Sequence, residues 1–150
     1  MDYKVEVTEI TEHPIAAARQ RTTFKRISAE IGRLLESPWA LIRQQPELRT
    51  DGHNVAIYWN AQGEGSIEVG VQVVKRFEDT EKVVCSATPA GRAAITTHFG
   101  EYSDLGPAHD AVMTWCKQND HKLAGPFWEV YGDWDDDPAK RQTDVFYLLQ

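Results

Sequence analysis

Long apolar runs are missing from this chain. No stretch approaches the about 18 consecutive apolar residues that a membrane-spanning helix requires, and the polar start Met1-Asp2-Tyr3-Lys4 lacks the apolar centre of a secretory signal. These absences predict a cytoplasmic protein without membrane contact. Cysteine is nearly absent: Cys85 and Cys116 stand 31 positions apart with no Cys-x-x-Cys spacing, which predicts two buried free thiols rather than a disulfide or a zinc site. Positive charge is scarce too. Sixteen Lys and Arg face 23 Asp and Glu, the net charge is −7, and no basic run exceeds a pair such as Lys75-Arg76 or Lys140-Arg141. Binding to DNA, RNA or anionic lipid is therefore disfavoured, whereas attraction of cationic small molecules is compatible with the balance.

Several chemistries drop out for want of residues at the right spacing. Gly63-Glu64-Gly65 lacks the further glycines of a phosphate loop and precedes a strand rather than a helix. No two of the five histidines stand at the i, i+4 spacing of a helical metal site, and none lies beside a cysteine, so turn or surface positions are expected for most and no metal is expected. No serine sits in a Gly-x-Ser-x-Gly context. The aspartates from Asp133 to Asp137 lack the ligand spacing and terminal Glu of a calcium loop, and read as a solvated turn. No cofactor is expected.

What the chain does have is 150 residues, 41% of them apolar, enough for one domain with a real core (residues 1–150). Its pattern runs twice through the order β-β-α-β-β, in halves of about 1–75 and 80–150. The first half offers strands over Tyr3 to Ile10 and Ile15 to Gln20, then a helix from about Phe24, with Ile27, Ile31, Leu34 and Leu35 at helical spacing and Thr22 or Thr23 as cap. Pro38 should interrupt this helix, leaving a short second turn through Trp39, Leu41 and Ile42. Strands Asn54 to Trp59 and Ser66 to Val74 close the half. In the second half Val83 to Ala87 and Arg92 to His98 are strands. Leu105, Ala108, Val112, Trp115 and Cys116 mark a helix face, with Ser103 or Asp104 as cap, and strands Pro126 to Gly132 and Thr143 to Leu149 follow. Val55-Ala56-Ile57-Tyr58 aligns with Trp128-Glu129-Val130-Tyr131, and Glu68-Val69-Gly70-Val71 with Asp144-Val145-Phe146-Tyr147. The predicted class is α+β: duplicated modules related by a pseudo-two-fold axis, antiparallel sheet, and a ligand cleft on the axis lined from both halves.

Glu129 stands out in the run Gly125-Pro126-Phe127-Trp128-Glu129-Val130-Tyr131. On a strand it shares a face with Phe127 and Tyr131 while Trp128 and Val130 share the other, so neither face is polar. A carboxylate in such surroundings is costly unless compensated. It fits a counter-charge for a cation, a titratable catalytic group, or a solvated carboxylate on the rim of an edge strand. Aromatics gather on the four strands beside the axis, and rings around one carboxylate match the stacking, cation–π attraction and counter-charge that a delocalised organic cation needs. The candidate ligand-binding set is Glu129, Tyr58, Phe127, Tyr131, Tyr147, Phe146, Trp59 and Ala56.

Over nearly its whole length the chain resembles the GyrI-like family of effector-binding domains. The likeness rests on Gly125 to Tyr131, on Pro138-Ala139-Lys140-Arg141-Gln142-Thr143-Asp144-Val145-Phe146-Tyr147-Leu148, on Ile67-Glu68-Val69-Gly70-Val71, and on Tyr102-Ser103-Asp104-Leu105 with Trp115. The first half departs from the family, having Val55-Ala56-Ile57-Tyr58 where Gly-Pro-Pro and an Arg-Tyr pair are common. The resemblance implies tandem β-α-β-β modules around a central cleft, with Glu129 facing lipophilic cations in drug-binding members. It implies a stand-alone module without direct DNA binding, since 150 residues leave no room for a DNA-reading domain, and it allows a protein partner. The favoured function is binding of amphipathic cationic compounds for sensing or sequestration. The alternatives are hydrolysis of strained electrophilic natural products through Glu129 and, more distantly, inhibition of a topoisomerase.

Overall fold

The structure, a computed structural model, describes residues 3–23, 30–49, 52–59 and 64–150. Eight strands and two α-helices are found among them: β1 Glu6–Ile10, β2 His13–Thr23, α1 Ile31–Gln44, β3 Asn54–Tyr58, β4 Glu64–Gln72, β5 Val84–Thr88, β6 Gly91–Phe99, α2 Gly106–Gln118, β7 Leu123–Tyr131 and β8 Gln142–Leu149. The strands form one sheet in the order β1-β6-β8-β7-β3-β4-β2-β5, and every pairing is antiparallel. The class is α+β.

Exchanging the halves (β1 with β5, β2 with β6, β3 with β7, β4 with β8) turns this order into its own reverse, as a two-fold axis between β3 and β7 requires. The register obeys the same axis. Ala56 lies opposite Glu129, while Val55 pairs with Val130 and Ile57 with Trp128. Val69 stands beside Ala56 as Val145 stands beside Glu129. The residue equivalences expected from the sequence are those of the sheet.

Connectivity forces the sheet to curl. Flat, β1 and β2 would lie six strand spacings apart, about 29 Å at about 4.8 Å each, yet only two residues join Ile10 to His13, a reach of about 11 Å at most. The link from Thr88 to Gly91 imposes the same demand. The face turned away from the two described helices thus becomes an interior, where Ile15, Ala17, Val55, Ile57, Ala93 and Trp128 are buried although neither of those helices covers them. Gly70 marks a tight point of this curl: a Cβ there would meet Ala16 O at 2.0 Å and Ala17 Cα at 2.7 Å. Its symmetry mate, Phe146, instead fills space, stacked on Trp128. The helices pack on the outer face, α1 against β2 and β4, α2 against β6 and β8. The central strands β3 and β7 therefore floor the space along the axis.

Three expectations are corrected. Pro38 lies within α1 and does not break it. The lost backbone hydrogen bond, typically about 3 kcal/mol, is offset because Leu34, Pro38, Leu41 and Ile42 form one buried stripe at i, i+4, i+7 and i+8. The cap of α2 is Leu105, with Gly106-Pro107 opening the helix, because Ser103 and Asp104 are taken up in a 3₁₀ turn, Tyr102–Asp104. Strand β7 begins at Leu123 rather than Pro126. Its pairing with β8 is irregular between Leu123 and Phe127, where Gly125 has φ +123°, and such a bulge is where a strand tolerates a proline. The expected helix start near Phe24 falls among residues 24–29, outside the described ones. Both cysteines are free, Cys116 buried and Cys85 half-buried. Among the described residues no helix is long and apolar enough to cross a membrane.

Candidate functional site

Ala56, Tyr58, Phe127, Glu129 and Tyr131 alternate out of β3 and β7 onto the helix side, and Tyr147 joins them from β8 in register with Phe127. Three of these rings form one stack: Tyr58 on Phe127 at 4.6 Å and 11°, and Phe127 on Tyr147 at 4.9 Å and 7°. Glu129 is buried among them at 4% exposure. An isolated carboxylate there would cost several kcal/mol, so its hydrogen bonds decide whether it is tolerated. Tyr131 donates its hydroxyl to Oε1 at 2.6 Å, Tyr58 is hydrogen-bonded to the same carboxylate, and His109 Nε2 lies 2.7 Å from Oε2.

Burial, followed by the negative charge of Glu129, pushes the phenols of Tyr58, Tyr131 and Tyr147 well above the ordinary tyrosine range. They stay protonated near neutral pH and serve as donors. A strict duplication would set a second carboxylate at position 56, directly across the axis. Ala56 leaves one charge in place of two repelling ones.

His109 was not anticipated as a site residue. It is buried, not at a turn or the surface. It rises from the first turns of α2, with Nδ1 2.7 Å from the Tyr147 hydroxyl, and its ring stands edge-on to Phe127 (5.5 Å, 78°) and Tyr147 (5.6 Å, 76°). The sequence held a signal: position 109 is four past Leu105 and three before Val112, on the apolar face of the helix. His98 is likewise buried, between the Tyr3 hydroxyl and the Glu101 carbonyl.

Two candidates face the other way. Phe146 stacks on Trp128 inside the curl (5.1 Å, 3°), and Trp59 donates Nε1 to Glu68. Adjacent strand residues point to opposite faces, so Tyr58 and Trp59, or Phe146 and Tyr147, cannot share a wall. Glu68 is a second buried carboxylate, held by Arg19 at 2.7 and 3.0 Å and by Ser86 Oγ at 2.6 Å. Among the described residues no group of three or more His, Cys, Asp and Glu is placed to hold a metal.

An aromatic trail leads from Glu129 to the surface. Tyr131 meets Tyr102 edge-on at 5.4 Å, and Tyr102 lies 6.4 Å from Trp134, which is 64% exposed. The Arg141 guanidinium sits 3.6 Å over the Trp134 ring. A groove of about 350 Å³ beside Trp134, lined also by His53, Asp133, Asp135 and Asp144, lies at the outer end of this trail and does not reach Glu129.

The model of the GyrI-like small molecule binding domain matches residues 3–149. The chain belongs to the GyrI-like family. Solved structures share the fold at low identity. The C-terminal domain of EcmrR superposes with TM-score 0.79 at 20% identity, over 100% of this chain and 99% of that one. SAV2435, solved bound to tetraphenylphosphonium, gives TM-score 0.69 at 14% identity, over 100% and 94%. A hydrolase from Listeria innocua gives 0.62 at 11%, over 98% and 92%. A search of curated protein sequences finds no match. As a GyrI-like domain the protein binds small molecules, and the Glu129 cluster brings charge, rings and hydrogen-bond donors together on the axis between its halves.

Proposed function

We propose that this domain binds lipophilic aromatic cations, with Glu129 as the counter-charge and the Tyr58–Phe127–Tyr147 stack as the wall against which their rings lie. The reading is carried by the buried carboxylate itself. Phenol donors that remain protonated hydrogen-bond it without supplying a positive charge, and an aromatic cation offers both that charge and rings for the stack. The net charge of −7 favours the same ligands at long range. Ala56 completes the wall across the axis, and Tyr131 links it to the outer rings Tyr102 and Trp134. The protein then acts in the cytoplasm as a sensor or sink for such compounds, without touching DNA itself, alone or with a protein partner. Isothermal titration with tetraphenylphosphonium and with tetraphenylborate, ions of like shape and opposite charge, tests it. Saturable binding of the cation alone is expected; equal affinity for both would sink the counter-charge.

One observation favours a second reading, hydrolysis of strained electrophiles. The Glu129–His109–Tyr147 hydrogen-bonded chain has the form of an acid–base relay. Incubation with epoxide- or cyclopropane-bearing compounds, followed by mass spectrometry, is expected to return them unchanged. Addition of water that vanishes in a folded Glu129→Gln variant would establish the hydrolase instead.

A further inference from the structure

The carboxylate assigned to the ligand already has a partner. His109 Nε2 lies 2.7 Å from Glu129 Oε2, and its ring stands against Phe127 and Tyr147, all four residues being 3–5% exposed. An aromatic cation entering this site would meet the same groups, its charge near the carboxylate and a ring against the stack. The imidazole thus occupies the ligand's position. Both forms of the ring fit. Neutral, Nε2–H donates to Glu129 and Nδ1 accepts from the Tyr147 hydroxyl; protonated, Nδ1–H donates to the Tyr147 oxygen. The ring meets the Glu129 carboxylate of β7 and the Tyr147 hydroxyl of β8; Tyr58 and Tyr131 share that carboxylate, and Asp110 and Cys116 of its own helix act on Tyr147. With the phenols held protonated, imidazole is the group among these that ordinarily changes charge between about pH 5 and 8.

We propose that His109 is a resident counter-ion that the ligand must displace, so that binding exchanges one cation for another. The protonated imidazole leaves the carboxylate, loses its proton to solvent, and the organic cation takes its place. One positive charge enters the site and one leaves it. This rests on the cation reading of Glu129 and adds to it a selection rule: a ligand needs both charge and ring area to evict the imidazolium, so small hydrated cations are excluded. Since the bound state holds one proton fewer, affinity rises with pH, by up to about tenfold per unit where the imidazole is protonated, and levels off where it is neutral.

The test is titration calorimetry with tetraphenylphosphonium chloride from pH 5.5 to 8.5, in buffers of different ionisation enthalpy so that released protons are counted. The wild type is expected to release up to one proton per cation and to bind more tightly as pH rises. His109→Gln, or His109→Asn if Gln impairs folding by circular dichroism, is expected to bind at least as tightly at pH 5.5 and to lose both the slope and the proton release. Binding by the wild type without slope or release overturns the exchange alone, as does a slope retained in the His109 variants, which would place the titration on Glu129. No binding by either protein at any pH overturns the counter-charge reading with it.

Discussion

Glu129→Gln is expected to weaken tetraphenylphosphonium binding about 5- to 150-fold, a loss of roughly 1–3 kcal/mol for one buried charge contact, while the chain still folds. Glutamine keeps the shape of the side chain. Its carbonyl oxygen still accepts from Tyr131, and its amide meets His109 through the neutral ring with Nε2 as acceptor. What disappears is the charge, and with it both the attraction for the ligand and the hold on an imidazolium. On the exchange proposed for His109, the loss is expected to be largest in the alkaline range and smaller in acid. Parallel titrations with a neutral aryl ligand measure the contribution of the rings alone. Equal losses for neutral and cationic ligands would show that the substitution damaged the wall rather than removed the counter-charge.

Trp128→Ala, one residue away on the opposite face, is expected to do the reverse. Trp128 is 2% exposed and stacked on Phe146 within the curl. Its truncation leaves a large cavity in a space that the two short links prevent from collapsing, at a typical cost of about 3–5 kcal/mol. For a chain of this length that amounts to a fall in Tm of about 6–20 °C. Urea denaturation with and without ligand separates the effects: the midpoint should drop sharply, while cation affinity, measured well below the transition, stays near the wild-type value. A loss under about 1 kcal/mol would mean that this face is not the packed interior described above.

Much of this arrangement was legible in the sequence, because strand patterning and duplication are written locally. The alignment of Ala56 with Glu129, and of Glu68–Val71 with Asp144–Tyr147, carries the two-fold register directly. The features that escaped depend on tertiary context. A proline in a helix reads as a break unless the burial of its whole stripe is known, as for Pro38. A histidine reads as a surface residue unless the carboxylate it meets is in view, and His109 lies 20 positions from Glu129 in the chain. Trp59 and Phe146 were gathered into the site by composition, where the period of two along the strand would have excluded them.

The edge strands carry a further consequence. β1 precedes the first half in the chain but is hydrogen-bonded to β6 of the second, and β5 opens the second half but is hydrogen-bonded to β2 of the first. Each half thus lends an arm to the other, in the manner of a strand-swapped dimer whose two copies have been joined end to end. Neither arm has its place until the opposite half exists, so neither half is an autonomous folding unit, and the sheet is complete only when the last strands are available. The exchanged arms tie the two halves of the curled sheet to each other by reciprocity, and both helices lie outside that tie, on the outer face where the Glu129 cluster is.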